Sequence, residues 1–140
     1  MILRSFPRLR RRRISIVRGG EDDLLSYTVE GDHHLVAVNE CLLPAPDRAL
    51  IGGLAHELVH IDTDLRMGWF LRELAWNRYL SSHWCRMREE RATELRVIEL
   101  GYGRNLLAFV RYAHRLGRTF SREHGLLYAE IGRAVRKGTE

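Results

Sequence analysis

Two histidines and a glutamate near the middle of the chain have the spacing of a metal-binding motif. His56, Glu57 and His60 form the pattern H-E-x-x-H in a segment whose apolar periodicity predicts a helix. Because helical residues four apart lie on the same face, the two imidazoles can bind one metal ion. Glu57 flanks that face and can act as a general base towards a metal-activated water. A shuffled chain of this composition would contain the spacing on the order of a few per cent of the time.

A catalytic zinc site usually needs a third protein ligand, and a later helix offers glutamates for that role. A third histidine at the H-E-x-x-H-x-x-G-x-x-H position is absent, since Arg66 occupies it. Helical phase places Glu90 and Glu94 on a row beside the apolar side, whereas Glu89 points to the solvated side. We therefore expect Glu90 to be the third ligand and Glu94 to accept the spare N–H of a ligand histidine. In the alternative, Glu90 only pairs with a nearby arginine such as Arg86.

The segments before the motif predict a small sheet. Three short stretches of alternating or β-branched residues are expected to be strands: 14–17, 25–30 and 34–39. Gly31-Asp32 suits a two-residue hairpin turn, so we expect a three-stranded antiparallel meander. The edge of its third strand would lie beside the metal, where an extended peptide could pair with it. Asp32, His33 and His34 are expected to be turn and strand-start residues rather than a metal triplet.

The remainder is predicted to be helical, which makes the fold class α+β. The motif helix should run from Pro46-Asp47 to about Asp64, with an apolar stripe of Leu50, Leu54, Leu58, Ile61 and Leu65. Gly52 and Gly53 indicate either bare backbone, for close packing or for room beside the metal, or a late helix start at Gly52, and both explanations remain open. Further helices are expected at about 66–81 (or an elaborated connection there), 82–100, 105–116 and 122–136, with Asn105 and Ser121 as N-caps. The aromatic residues Trp69, Phe70, Trp76 and Tyr79 are expected to lie in the core.

Composition limits the class of protein. A chain of 140 residues with 29% charged and 45% hydrophobic residues is expected to fold as one domain. The net charge of +5 comes from 22 arginines and one lysine, interleaved with glutamates apart from a basic arm at residues 1–11, which we expect to be frayed and solvated. Nucleic acid is thus a possible partner but not a favoured one. Cys41 and Cys85 are far apart and match no C-x-x-C pattern, so we expect reduced thiols. No signal peptide or membrane-spanning run is found, which predicts a cytoplasmic protein with no membrane partner.

The two motifs together, His56–His60 and Glu90–Glu94, resemble those of the gluzincins, zinc peptidases with H-E-x-x-H on one helix and a glutamate ligand on the next. The size and the order of elements are similar to the minigluzincins, over about residues 13–103. The resemblance implies a Zn²⁺ cofactor, a peptide or unfolded-protein substrate, and a latent enzyme in which residues 104–140 block the cleft.

One feature departs from the family. Many relatives have Glu-x-x-Ala-Asp, a pattern that would align Glu89 rather than Glu90 with the ligand. The donor that stabilises the oxyanion stays open among Tyr102, Tyr112, His114, His124 and Tyr128. The alternative function is a basic protein- or nucleic-acid-binding module with a structural or vestigial zinc site, which assigns no task to Glu57.

Overall fold

The computed structural model describes residues 2–20, 22–118 and 124–138, which form an α+β fold. The strands are β1 (Arg13–Arg18), β2 (Leu25–Glu30) and β3 (His33–Val38). The helices are α1 (Asp47–Arg66), α2 (Trp69–Ser81), α3 (His83–Val97), α4 (Gly103–Arg115) and α5 (Tyr128–Lys137). Short 3-10 helices cover Ile2–Ser5, Pro7–Arg11 and Glu40–Leu42. A π-helical turn, Ile98–Tyr102, joins α3 to α4, and Gly101 within it has a φ of 89°.

The sheet is mixed, with the strand order β1-β3-β2. β2 and β3 form the predicted antiparallel hairpin, but β1 pairs parallel with β3, so the expected antiparallel meander is wrong. The segment between β1 and β2 passes the end of β3, where Gly19 donates to Val38 and Asn39 to Leu24. Since β3 is hydrogen-bonded along both edges, the prediction that its edge binds an extended peptide is also wrong.

The central strand β3 joins the sheet to the helices through one buried face. His34, Val36 and Val38 alternate on that face and are each less than a tenth exposed. His33 and His34 begin the strand and Asp32 lies in the turn before it, as expected from the hairpin position. Asp32 forms an exposed ion pair with Arg13 at 3.8 Å. The positions of these three residues confirm the prediction of turn and strand-start residues.

The motif helix α1 begins at Asp47, as predicted, and both of its glycines are buried. A Cβ atom on Gly52 would overlap the carbonyl oxygen of Asn105, and one on Gly53 would overlap the Leu25 side chain. The late start at Gly52 is therefore wrong, and close packing is the correct explanation. Bare backbone at these positions lets α4 and β2 approach α1.

The N-terminal segment is anchored to the body of the protein. Phe6 and Leu9 are 2% and 1% exposed within the main core, and Ser5 Oγ lies 2.9 Å from the Tyr102 hydroxyl. The expectation of a frayed, solvated arm is wrong, because Phe6 and Leu9 are buried in the core. The arginines themselves, including Arg8 and Arg10, are exposed.

The aromatic side chains of helix α2 were expected in the core but are mostly exposed. Trp69, Phe70 and Trp76 are 74%, 59% and 55% exposed, and none of the α2 residues is buried. The expectation that these three aromatics belong to the core is wrong, since α2 packs mainly against α3 and leaves its flanks open. Within the described ranges, no helix is both long and apolar enough to cross a membrane.

The C-terminal helices complete the same core as α1. Leu106, Val110 and Ile131 are at most 2% exposed, and α4 makes the most extensive contact of any helix with α1. Asn105 lies inside α4 rather than capping it, where its amide donates to the Arg48 carbonyl. The last helix starts at Tyr128 instead of 122, and the predicted cap Ser121 lies outside the described residues.

Candidate metal centre

Three side chains from α1 and α3 converge on one point. His56 Nε2 and His60 Nε2 lie 3.0 Å apart on successive turns of α1. Glu90 Oε2, on α3, lies 3.1 Å from the first nitrogen and 3.5 Å from the second. Among the described residues, His56, His60 and Glu90 form the group of metal-binding side chains that could hold an ion. Helical periodicity, which placed Glu90 beside the apolar side of α3, correctly predicted that it faces the two histidines.

The spacing of the three donor atoms suits a small tetrahedral cation. Donors at bond lengths of about 2.1 Å around a tetrahedral zinc ion lie about 3.4 Å apart. The observed separations of 3.0, 3.1 and 3.5 Å are close to that value without any movement of α1 or α3. Two nitrogens and one carboxylate oxygen are also a ligand set that zinc accepts. The spacing and the chemistry of the residues present therefore fit such an ion.

Mutual electrostatics hold this group together. Burial alone would lower the pKa of His56, but the hydrogen bond with Glu90 and the charges of Glu90, Glu57 and Glu94 raise it to about 9. Burial alone would raise the pKa of Glu90, but its hydrogen bonds with His56 and His60 and their charges lower it strongly. Glu90 is therefore an anion at neutral pH.

Glu57 lies next to the cluster and is 8% exposed. Burial raises the pKa of its carboxyl, while the nearby charges of His56 and His60 oppose that rise. No hydrogen bond to another described side chain occupies this carboxylate. An unengaged, partly desolvated carboxylate beside a metal-binding group is suited to take up and return a proton.

A tyrosine on α2 contacts the cluster, and sequence reasoning missed this. The Tyr79 hydroxyl donates to Glu90 Oε1 at 2.7 Å, which leaves Oε2 directed at the histidines. The Tyr79 ring stacks on Trp76 at 5.6 Å and lies under the Arg86 guanidinium. Its pKa is raised by burial and by the charge of Glu90, so the hydroxyl keeps its proton. In the sequence Tyr79 looked like one more aromatic of an apolar helix, and no spacing rule linked it to Glu90.

Glu94 lies one turn after Glu90 and is buried. Burial raises its pKa to about 7, while the charge of His56 opposes the rise. Its carboxylate accepts a hydrogen bond from the backbone N–H of Leu126, in the segment just before α5. A Cβ atom on Gly125 would overlap the same carboxylate. Glu94 therefore joins the C-terminal segment to α3, and its predicted bond to a ligand histidine stays a prediction.

The other predicted donors lie elsewhere. Glu89 is half-buried beside Glu90 but is not part of the converging group. The three tyrosines considered as oxyanion donors form hydrogen bonds with other groups. Tyr102 pairs with Ser5, Tyr112 with the Cys41 carbonyl, and Tyr128 with Arg111. His114 and His124 are exposed. The two cysteines carry free thiols.

Comparisons with known proteins add no assignment to this geometry. No protein-family profile, no curated protein and no solved structure matches the chain. The function must therefore be argued from the side chains themselves.

Proposed function

We propose that the protein is a zinc metallopeptidase of the gluzincin type, with His56, His60 and Glu90 as the metal ligands. The observation that carries the proposal is the convergence of these three donors at separations of 3.0 to 3.5 Å, with Glu57 alongside. If the cluster were only structural, it would not need a carboxylate at the position of Glu57. The combination of an unengaged carboxylate with a three-donor set is what a hydrolytic centre needs.

The proposed chemistry divides among a few side chains. A zinc ion held by the three ligands would supply Lewis-acid polarisation of the scissile carbonyl and would make water more acidic. The Glu57 carboxylate accepts a proton from the attacking water and returns it to the departing amine. The Tyr79 hydroxyl holds Oε1 of Glu90 and thereby orients Oε2 towards the histidines. The substrate expected for this centre is a peptide or an unfolded protein.

The test separates metal binding from hydrolysis. The wild type, Glu57→Gln and the control Glu73→Gln, an exposed glutamate on α2, are compared for bound zinc and for cleavage of an unfolded protein. We expect about one zinc per chain in all three proteins, and loss of cleavage by at least about a thousandfold in Glu57→Gln alone. Cleavage that is equal in all three proteins, or a wild type that binds no metal, would refute the proposal. Bound zinc without any cleavage by the wild type is also expected of a latent enzyme, so it would favour a structural zinc site only if weakening the contact between Glu94 and Leu126 also gives no cleavage.

A further inference from the structure

The exposed apolar residues of α2 and of the first turn of α3 form a surface that no described residue covers. We name it the α2 surface and define it by seven residues that are each 42% to 74% exposed: Trp69, Phe70, Leu71, Leu74, Trp76, Leu80 and Trp84. All three tryptophans of the chain belong to it. Tryptophan is among the costliest residues to leave in water, so its concentration here requires an explanation.

The size of this surface is unusual for a protein of this length. Taking about 200 Å² for a fully exposed large apolar side chain, the seven residues expose about 800 Å². This area is summed over residues on more than one side of α2, and exposed apolar area of this extent is typical of interaction sites. The α2 surface is therefore expected to be covered by a partner during function.

The charges on the same segment indicate which partner fits. Residues 69–88 contain four arginines and one glutamate, a net charge of +3 from four minus one. Arg78 and Arg88 are exposed, and the Arg88 guanidinium lies 5.3 Å from the Trp84 ring centre. In a symmetric pair each copy would present the same positively charged segment to the other, which disfavours pairing. An anionic surface is complementary to them.

We propose that the α2 surface binds the headgroup region of an anionic lipid bilayer. Tryptophan concentrates at the membrane–water interface because its ring is apolar and its N–H is polar. Helices that lie in that interface combine such aromatics with leucine and with arginine, which is attracted to acidic headgroups. This inference departs from the sequence-based expectation of no membrane partner, which rested on the absence of a membrane-spanning run. It does not depend on the proposed peptidase activity.

Intrinsic fluorescence tests the proposal directly, because every tryptophan of the protein lies in the α2 surface. The full chain is titrated with vesicles of phosphatidylcholine alone and with vesicles that also contain phosphatidylserine. We expect the emission to shift to shorter wavelength, and the protein to co-sediment, with the anionic vesicles only. Equal binding to both vesicle types, or to neither, would overturn the proposal. So would a blue-shifted emission in buffer that disappears on dilution, because a second copy would then cover the surface.

Matched variants separate the apolar and the charged contributions while keeping all three tryptophans. Phe70→Ser with Leu71→Ser should weaken binding at least about tenfold, whereas Ile16→Ser with Leu43→Ser, similarly exposed elsewhere, should not. Arg78→Gln with Arg88→Gln should weaken it about 25-fold, since each arginine near an acidic membrane strengthens binding about fivefold. The control pair Arg104→Gln and Arg133→Gln removes the same charge from α4 and α5. Equal losses for test and control pairs would refute a specific role of the α2 surface.

Discussion

Replacing Tyr79 with phenylalanine removes one hydroxyl from the metal centre and keeps the ring. That hydroxyl donates to Glu90 Oε1 at 2.7 Å, and the stacking of the ring on Trp76 is retained in the variant. A hydrogen bond to a charged group contributes about 1.5–3 kcal/mol. Without it, the Glu90 carboxylate can rotate and direct Oε2 away from the histidines. Because loss of such supporting partners typically lowers metal affinity about 10- to 100-fold, we expect the Kd for zinc to rise by that factor.

The affinity is measured by competition with a chromogenic chelator at one pH and ionic strength. Tyr112→Phe is the matched control, since its hydroxyl also donates a hydrogen bond, to the Cys41 carbonyl at 3.3 Å, but away from the centre. The control should bind zinc like the wild type. If Tyr79→Phe also binds zinc with wild-type affinity, the hydroxyl does not position Glu90 and the reasoning from this contact is wrong.

Three further predictions concern the ligand choice, pH and packing. Bound zinc should be lost in Glu90→Gln and kept in Glu89→Gln. The reverse result would favour Glu89 as the third ligand, as the Glu-x-x-Ala-Asp pattern implies. Burial raises the pKa of Asp64 to about 6, so the folded state holds this proton more tightly and stability falls as pH rises from about 4 to 6. Asp64→Asn should therefore be more stable than the wild type at pH 7.5 and equal to it near pH 3.5 in denaturant unfolding; a constant difference would contradict this. Gly52→Ala should destabilise the fold by about 1–3 kcal/mol through overlap with α4, whereas Gly132→Ala, which meets only an arginine side chain, should be neutral or stabilising.

Most of the helices were predictable because they have a periodic apolar face, and the strands because their residues alternate. Residues 66–81 stayed open between a helix and a connection. The order of the strands in the sheet could not be predicted, because alternation identifies a strand but not the strands that pair with it. The anchoring of Phe6 and Leu9 was missed because two apolar residues among arginines form no periodic pattern. The exposure of Trp69 and Trp76 was missed for a different reason: burial depends on what packs against α2, and no local pattern contains that information.

The part of the candidate metal centre that lies within one helix could be predicted from the sequence. His56 and His60 lie four residues apart on one helix, so their meeting follows from helix geometry alone. Glu90 lies on another helix, and only its phase next to the apolar side indicated that it faces inward. Tyr79 and Leu126 contact Glu90 and Glu94 through tertiary packing, which the sequence does not display.

The C-terminal helices limit how latency can be tested. Leu106, Val110 and Ile131 belong to the main core, so a chain that ends near Gly103 would expose that core to water. We expect such a chain to unfold, and its inactivity would carry no information about a block by residues 104–140. Latency stays a prediction and must be tested in the full chain, for example by weakening the contact between Glu94 and Leu126.

The energetic cost of the cluster offers a test of whether it exists for function. Removing Glu90 alone leaves the Tyr79 hydroxyl and the two buried imidazoles without their hydrogen-bond partner, so Glu90→Leu should destabilise the metal-free protein. Replacing His56, His60 and Glu90 together by leucine, with Tyr79→Phe to avoid an unpaired hydroxyl, removes the whole polar group. Apolar replacement of buried ionic groups is often neutral or stabilising by about 1–4 kcal/mol. We therefore expect the fourfold variant to unfold in chelator at the same or a higher denaturant concentration than the wild type. A clearly less stable fourfold variant would mean that the cluster is kept for the fold, and the argument for a functional metal centre would lose its energetic basis.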